Sequence, residues 1–177
     1  AINYFGFHLF NEKIIGLAFA RKFSEKLIFS TQFDYYSIHI HEHDTKNTPL
    51  IQIGLLSKPT EKIRIGFQTF NPFFTDIISE YNAKKIPSIF SLGSSISLSK
   101  ESLLGLEISH DIHTTTRATV AFEYLIQEYI LIKIASSYKN KNIIPAIGLN
   151  LNFTPFVLGF NAEIHQVLGV FSNLNLS

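Results

Sequence analysis

The sharpest local feature of the sequence is the run His39-Ile40-His41-Glu42-His43-Asp44. On an extended chain His39, His41 and His43 share one face, with successive side chains about 6–7 Å apart. That pattern can chelate a transition metal. No carboxylate or carbonyl can be named from sequence to orient the imidazoles. Polar residues at the end of a strand account for the run equally simply, so no metal and no cofactor is assigned. Ser109 and His110 invite comparison with a serine hydrolase pair. Neighbouring strand residues point to opposite faces, so these two cannot serve each other. No phosphate-binding loop, dinucleotide fingerprint, HExxH or paired-carboxylate motif is present, and no enzymatic activity is expected.

Stepping from these residues to the elements that carry them, the period is two almost throughout. In Lys62–Thr69 one face reads Ile63, Ile65, Phe67, Thr69 and the other Lys62, Arg64, Gly66, Gln68. Leu104, Leu106 and Ile108 oppose Gly105, Glu107 and Ser109, and Ala118, Val120, Phe122 and Tyr124 oppose Arg117, Thr119, Ala121 and Glu123. Ile147, Leu149, Leu151 and Phe153 alternate with Gly148, Asn150 and Asn152. About twelve strands follow, near residues 2–10, 13–21, 26–42, 49–57, 62–70, 87–99, 102–110, 116–126, 129–138, 143–153, 156–164 and 168–176. Most match the 9–11 residues with which a tilted strand crosses a bilayer. In the third the apolar residues slip from odd positions to even ones, which predicts a β-bulge near Tyr35-Tyr36.

Composition says what such strands face. The 177 residues are 46% hydrophobic and only 16% charged, with 17 Phe and 7 Tyr. A soluble domain carries about a quarter charged residues. No run reaches the roughly 18 apolar residues of a membrane helix, so a membrane must be crossed by strands. Polar positions hold Gly, Ser, Thr, Asn and Gln with isolated charges. The expected lumen set is Asp34, Arg64, Gln68, Glu107, Arg117, Glu123, Lys133, Asn150, Asn161 and Glu163. Apolar positions hold Ile, Leu, Val and Phe, which suits lipid. Tyr4, Tyr35, Tyr36, Tyr124, Tyr129 and Tyr138 sit where interfacial aromatics would. The fold class expected is therefore all-β, an antiparallel up-and-down transmembrane β-barrel, with residues 1–177 as a single domain in the bacterial outer membrane. The partner this pattern implies is the lipid bilayer. The alternative of another class is a soluble β-barrel with an apolar ligand inside.

Net charge is +1 and the basic residues are scattered, so nucleic acid is not a partner. Cysteine is absent, which removes disulfide and thiolate chemistry. Strand pattern begins at once after Ala1-Ile2-Asn3, so either a leader has been removed or the chain is part of a longer protein. Tight turns are expected at 23–25, 59–61, 100–101, 126–128 and 154–155. Longer loops are expected at 43–48, 71–86, 111–115 and 138–142, with short connections near Asn11-Glu12 and Gln166-Val167 as exceptions. In the loop 71–86, Phe73, Phe74, Ile77 and Ile78 form an apolar set that docks a partner, folds inward as a constriction, packs on the rim or forms a short helix.

A resemblance joins these segments. Residues 14–27 (Ile-Ile-Gly-Leu-Ala-Phe-Ala-Arg-Lys-Phe-Ser-Glu-Lys-Leu), Gln32–Tyr36, Ile65–Pro72 and Lys85–Ile89 follow one another in an order that resembles Bacteroidetes outer-membrane proteins of the PorV/PorQ type. These are distant relatives of FadL-type transporters of hydrophobic compounds. Glu107–Asp111, Glu123-Tyr124 and His165–Gly169 keep the same rhythm. The resemblance implies a closed barrel of about fourteen strands in the complete fold, without catalysis, working with other outer-membrane or secretion-system proteins in type IX secretion or, in FadL-like members, passing apolar molecules into the membrane. Against that pattern, the N-terminal region of first strands and plug is missing, and the chain ends Asn175-Leu176-Ser177 without a terminal aromatic.

Overall fold

The computed structural model describes residues 2–7, 10–40, 45–78, 83–153, 156–165 and 169–176. It is all-β. Twelve strands form one antiparallel up-and-down sheet, β1 (Ile2–Phe7), β2 (Phe10–Ser24), β3 (Leu27–Ile40), β4 (Lys46–Ser57), β5 (Ile63–Phe70), β8 (Ile89–Ser97), β9 (Ser102–Asp111), β10 (Thr116–Ile126), β11 (Ile130–Lys139), β12 (Asn142–Phe153), β13 (Phe156–His165) and β14 (Gly169–Leu176), in chain order. Two short strands, β6 (Ile77–Ile78) and β7 (Ala83–Lys84), pair with each other inside the connection from β5 to β8. Twelve strands in this order is what the period-two pattern dictated, but Asn11 and Glu12, expected in a connection, lie in β2 and pair with Gly6 and Phe5 of a β1 only six residues long. Residues 77–78 and 83–84 are extended rather than helical.

Contacts gather into two compact units. One comprises residues 1–57, 66–91 and 110–114, the other 58–65, 92–109 and 115–177. In the first, the register runs Gly16↔Asp34↔Leu50 and Ile14↔Tyr36↔Thr48 without a break through residues 35 and 36. The bulge expected there is absent; the irregularity lies between Lys22 and Ser24. The apolar residues change face for a different reason. Tyr36, Ile38 and Leu50 stand on the polar face because Ile86, arriving from the β5–β8 connection, packs against them, with Phe10, Ile14 and Phe70 around the cluster. Tyr36 is accordingly buried at 6% exposure and is not an interfacial ring, unlike the half-exposed Tyr35 beside it.

In the second unit the turns are tight. Gln127-Glu128 and Asn140-Lys141 both have positive φ at each central residue, the type I′ geometry that matches strand twist. The connection expected to be longer at 138–142 is thus a two-residue hairpin turn, Lys139 pairing with Asn142. Likewise β4 starts at Lys46, so residues 46–48 belong to a strand and not to the preceding loop.

Candidate functional site

Strand alternation sorts the side chains into two faces of opposite chemistry. On the apolar face Leu17, Phe33, Leu106, Ile134, Ile147 and Phe160 stand in the open, Leu17 at 63% exposure. A water-soluble barrel would bury such residues or replace them, because contiguous apolar patches of this extent are rare on soluble monomers. The soluble alternative is set aside on this ground.

The polar face of the first unit is built around Asp34, which is 3% exposed. Gln32 Nε2 donates to its Oδ1 and Gln52 Nε2 to its Oδ2, each at 2.6 Å. Both amides lie one step along the register, since Gln32 pairs with Gln52 and with Ala18. Gly16 opposite Asp34 is what allows the arrangement: a Cβ there would collide with Asp34 Oδ1 and Gln32 Nε2. A buried carboxylate is tolerated only when its oxygens are hydrogen-bonded, and the two glutamines supply that. Beside it Tyr36 Oη donates to Glu12 Oε2 at 2.7 Å. Sequence pattern named Asp34 but not Gln32, Gln52 or Gly16, whose roles follow from register.

In the second unit the charges pair. Glu123 and Lys133 are direct cross-strand partners, with Nζ 3.3 Å from Oε1. Gly148, next in that row, leaves room for Lys133 and for the Asn161 amide. Arg117 Nη2 lies 3.2 Å from Glu163 Oε1. Those residues are on β10 and β13, three strand spacings and four residues of register apart, roughly 20 Å on a flat sheet, so the polar face curves inward here. Both pairs are partly solvated and contribute little stability each; they leave the face nearly neutral. Thr119 and Ser137 share a hydrogen bond at 2.9 Å in the same region. Arg64 and Gln68 are exposed on β5, alternating with the apolar Ile65 and Phe67. Glu107 is exposed on β9, and Asn150 is half-buried on β12.

The β5–β8 connection is held by one side chain. Asn71 is 1% exposed, and its Nδ2 donates to Thr75 O at 2.9 Å, Ser88 Oγ at 3.1 Å and Ile86 O at 3.4 Å. Its Oδ1 accepts from Thr75 N at 2.9 Å, and its backbone N–H donates to Ile51 O. Asp76 Oδ1 accepts from Ile86 N at 3.1 Å. Of the loop residues named from sequence, Phe73 and Phe74 stay outside at 68% and 51% exposure, Phe74 tilted against Phe90 with ring centroids 6.4 Å apart. Phe74 holds φ of 57°, an unusual state for a bulky residue. Ile77 and Ile78 form β6. The residue that enters the interior face is Ile86, which the sequence reading did not single out.

His39 Nδ1 lies 3.0 Å from Thr45 Oγ1. His41 and His43 fall outside the described residues, and among the described ones no three metal-ligating groups converge. An open depression of about 670 Å³ lies on the apolar face of the second unit, where Ser94, Ala118 and Ser136 are small among Leu106, Ile108 and Tyr138.

No family profile and no curated protein sequence matches this chain. Solved structures do. The Ralstonia pickettii toluene transporter TbuX superposes with a TM-score of 0.70 at 8% identity, over 94% of this chain and 66% of that one. The chain thus spans just under two thirds of that transporter's length. The KdgM porin, solved with disordered oligogalacturonate, gives 0.62 at 9% identity, over 94% of this chain and 90% of that one. At such identities the likeness concerns the fold, and the fold is that of bacterial outer-membrane β-barrels: an apolar face toward lipid, a polar face toward the interior.

Proposed function

We propose that the chain forms one outer-membrane barrel domain, without enzymatic activity, that passes small apolar molecules. The observation that carries this reading is the buried apolar cluster of Tyr36, Ile38, Leu50 and Ile86, which fills part of the polar face of the first unit. Space taken by such a cluster is closed to the water that a hydrated solute carries, a restriction that an apolar solute does not share. The fold similarity to a toluene transporter is in keeping with it, as is the resemblance to FadL-like proteins. Asp34, Arg64, Gln68, Glu107, Arg117, Glu123, Lys133, Asn150, Asn161 and Glu163 would line the lumen as a nearly neutral, hydrogen-bonding wall.

A second reading makes the chain a PorV/PorQ-like component of Bacteroidetes type IX secretion. The observation favouring it is the Phe73–Phe74 pair, held outward at the rim by Asn71 and shaped to meet another protein. Reconstituted into vesicles, the protein is expected to admit a small aromatic hydrocarbon faster than a neutral sugar of similar size. Ile86→Ala is expected to raise sugar entry. Equal entry of both solutes, with a partner co-purifying through Phe73 and Phe74, would favour secretion over transport.

A further inference from the structure

β2 carries a cation at each end of its apolar face. Lys13, Ile15, Leu17, Phe19, Arg21 and Phe23 share that face, since Gly16 and the residues in step with it lie on the other. Among the described strand residues on the lipid side of β2, β3 and β4, only Lys13 and Arg21 bear a full charge. Eight residues at about 3.4 Å each place them roughly 27 Å apart along the strand, which at a barrel tilt of about 40° is about 21 Å in height, so their long side chains reach the two edges of an apolar band about 25 Å tall. Each leans on an aromatic ring: Lys13 Nζ is 5.8 Å from the Tyr4 centroid, and Arg21 Cζ is 5.6 Å from that of Phe23. Phe23 in turn packs edge-on against Phe29 at 6.4 Å. The pair therefore brackets the hydrocarbon, with Ile15, Leu17 and Phe19 between.

The two ends differ in charge. At the β2–β3 turn, Arg21, Lys22 and Lys26 are all exposed and face the single carboxylate of Glu25. Arg21 forms no ion pair among the described residues. A guanidinium is costly at mid-membrane and nearly free of cost at its boundary, where its planar fork can take two oxygens of one phosphate. We propose that Arg21, stacked on Phe23 and supported by the charge of Lys26 at the adjoining turn, holds the phosphate of an anionic phospholipid at this edge of the membrane. Charge complementarity selects the occupant: an excess of cations lies where the fold meets lipid headgroups, and Phe19, one step toward the membrane centre, suits the acyl chain below. The proposal rests on the membrane reading of the fold.

The test uses the full chain in phosphatidylcholine vesicles containing spin-labelled phosphatidylglycerol or spin-labelled phosphatidylcholine, with vesicle flotation as the check on insertion. Wild-type protein is expected to immobilise phosphatidylglycerol about fivefold more strongly, the value of one cation at an anionic surface, and to lose that preference in high salt. Arg21→Gln should bring the ratio close to unity, Arg21→Lys should retain part of it, and Lys13→Gln should leave it unchanged. Insertion without preference, or full preference in Arg21→Gln, overturns the site while leaving the barrel intact. Failure of the wild type to float with vesicles overturns the membrane reading and the proposal with it. A preference that follows Lys13 instead places the headgroup at the other end and refutes the assignment to Arg21.

Discussion

Asn71→Ala is expected to release the β5–β8 connection and free Ile86 from its cluster. The substitution removes a buried amide that donates to Thr75 O, Ser88 Oγ and Ile86 O and accepts from Thr75 N. It leaves those groups to find water in a region where Asn71 and Ser88 are almost fully enclosed. Each orphaned buried group costs about 1–3 kcal/mol. Alanine is also poorer than asparagine at the φ of 52° held here. Loss of about 3 kcal/mol is expected, concentrated in residues 71–88. Limited proteolysis should cut this segment in Asn71→Ala and spare it in the wild type, and vesicles carrying the variant should admit sugars more freely. Asn71→Gly separates the two causes, since it relieves the backbone while still lacking the amide. If Asn71→Gly is as resistant as the wild type, the hydrogen bonds are not what holds the loop.

Leu17→Arg is the second change with a large effect. Leu17 lies midway between Lys13 and Arg21 on the apolar face and pairs with Phe33. On a water-exposed surface such a substitution would fall within about 0.5 kcal/mol of neutral. In the middle of a bilayer it costs roughly 2–4 kcal/mol. Urea unfolding of the vesicle-inserted protein should register that loss, whereas Arg21→Leu, at the boundary, should shift the midpoint far less. A neutral Leu17→Arg would mean that this face meets water.

These expectations draw on features that differ in how readily sequence reveals them. The strands and their faces were legible because one face meets lipid and the other does not, which writes a period of two directly into residue type. The positions of Arg64, Glu107, Arg117 and Glu123 could be assigned this way. Tyr36 and Ile38 misled, since they are apolar on the polar face. Their partner, Ile86, stands some fifty positions along the chain, and alternation within one strand carries no trace of it; the shift therefore read as a bulge. Asn140-Lys141 closes a two-residue hairpin with positive φ at both positions, a state that neither residue type announces in the way glycine would. The Asp34 cluster needed register: Gln32 and Gln52 matter because β3 and β4 align them, and Gly16 because β2 sets it opposite Asp34. Of the His39, His41 and His43 run only His39 lies among the described residues, where it contacts Thr45.

The measurement that bears most directly on the whole account is extraction of the protein from cells expressing it. The barrel reading predicts that it sediments with the outer membrane, resists removal by alkaline carbonate and enters solution only with detergent. Recovery as a monomer in detergent-free buffer, folded and with its β-sheet content intact, would contradict it.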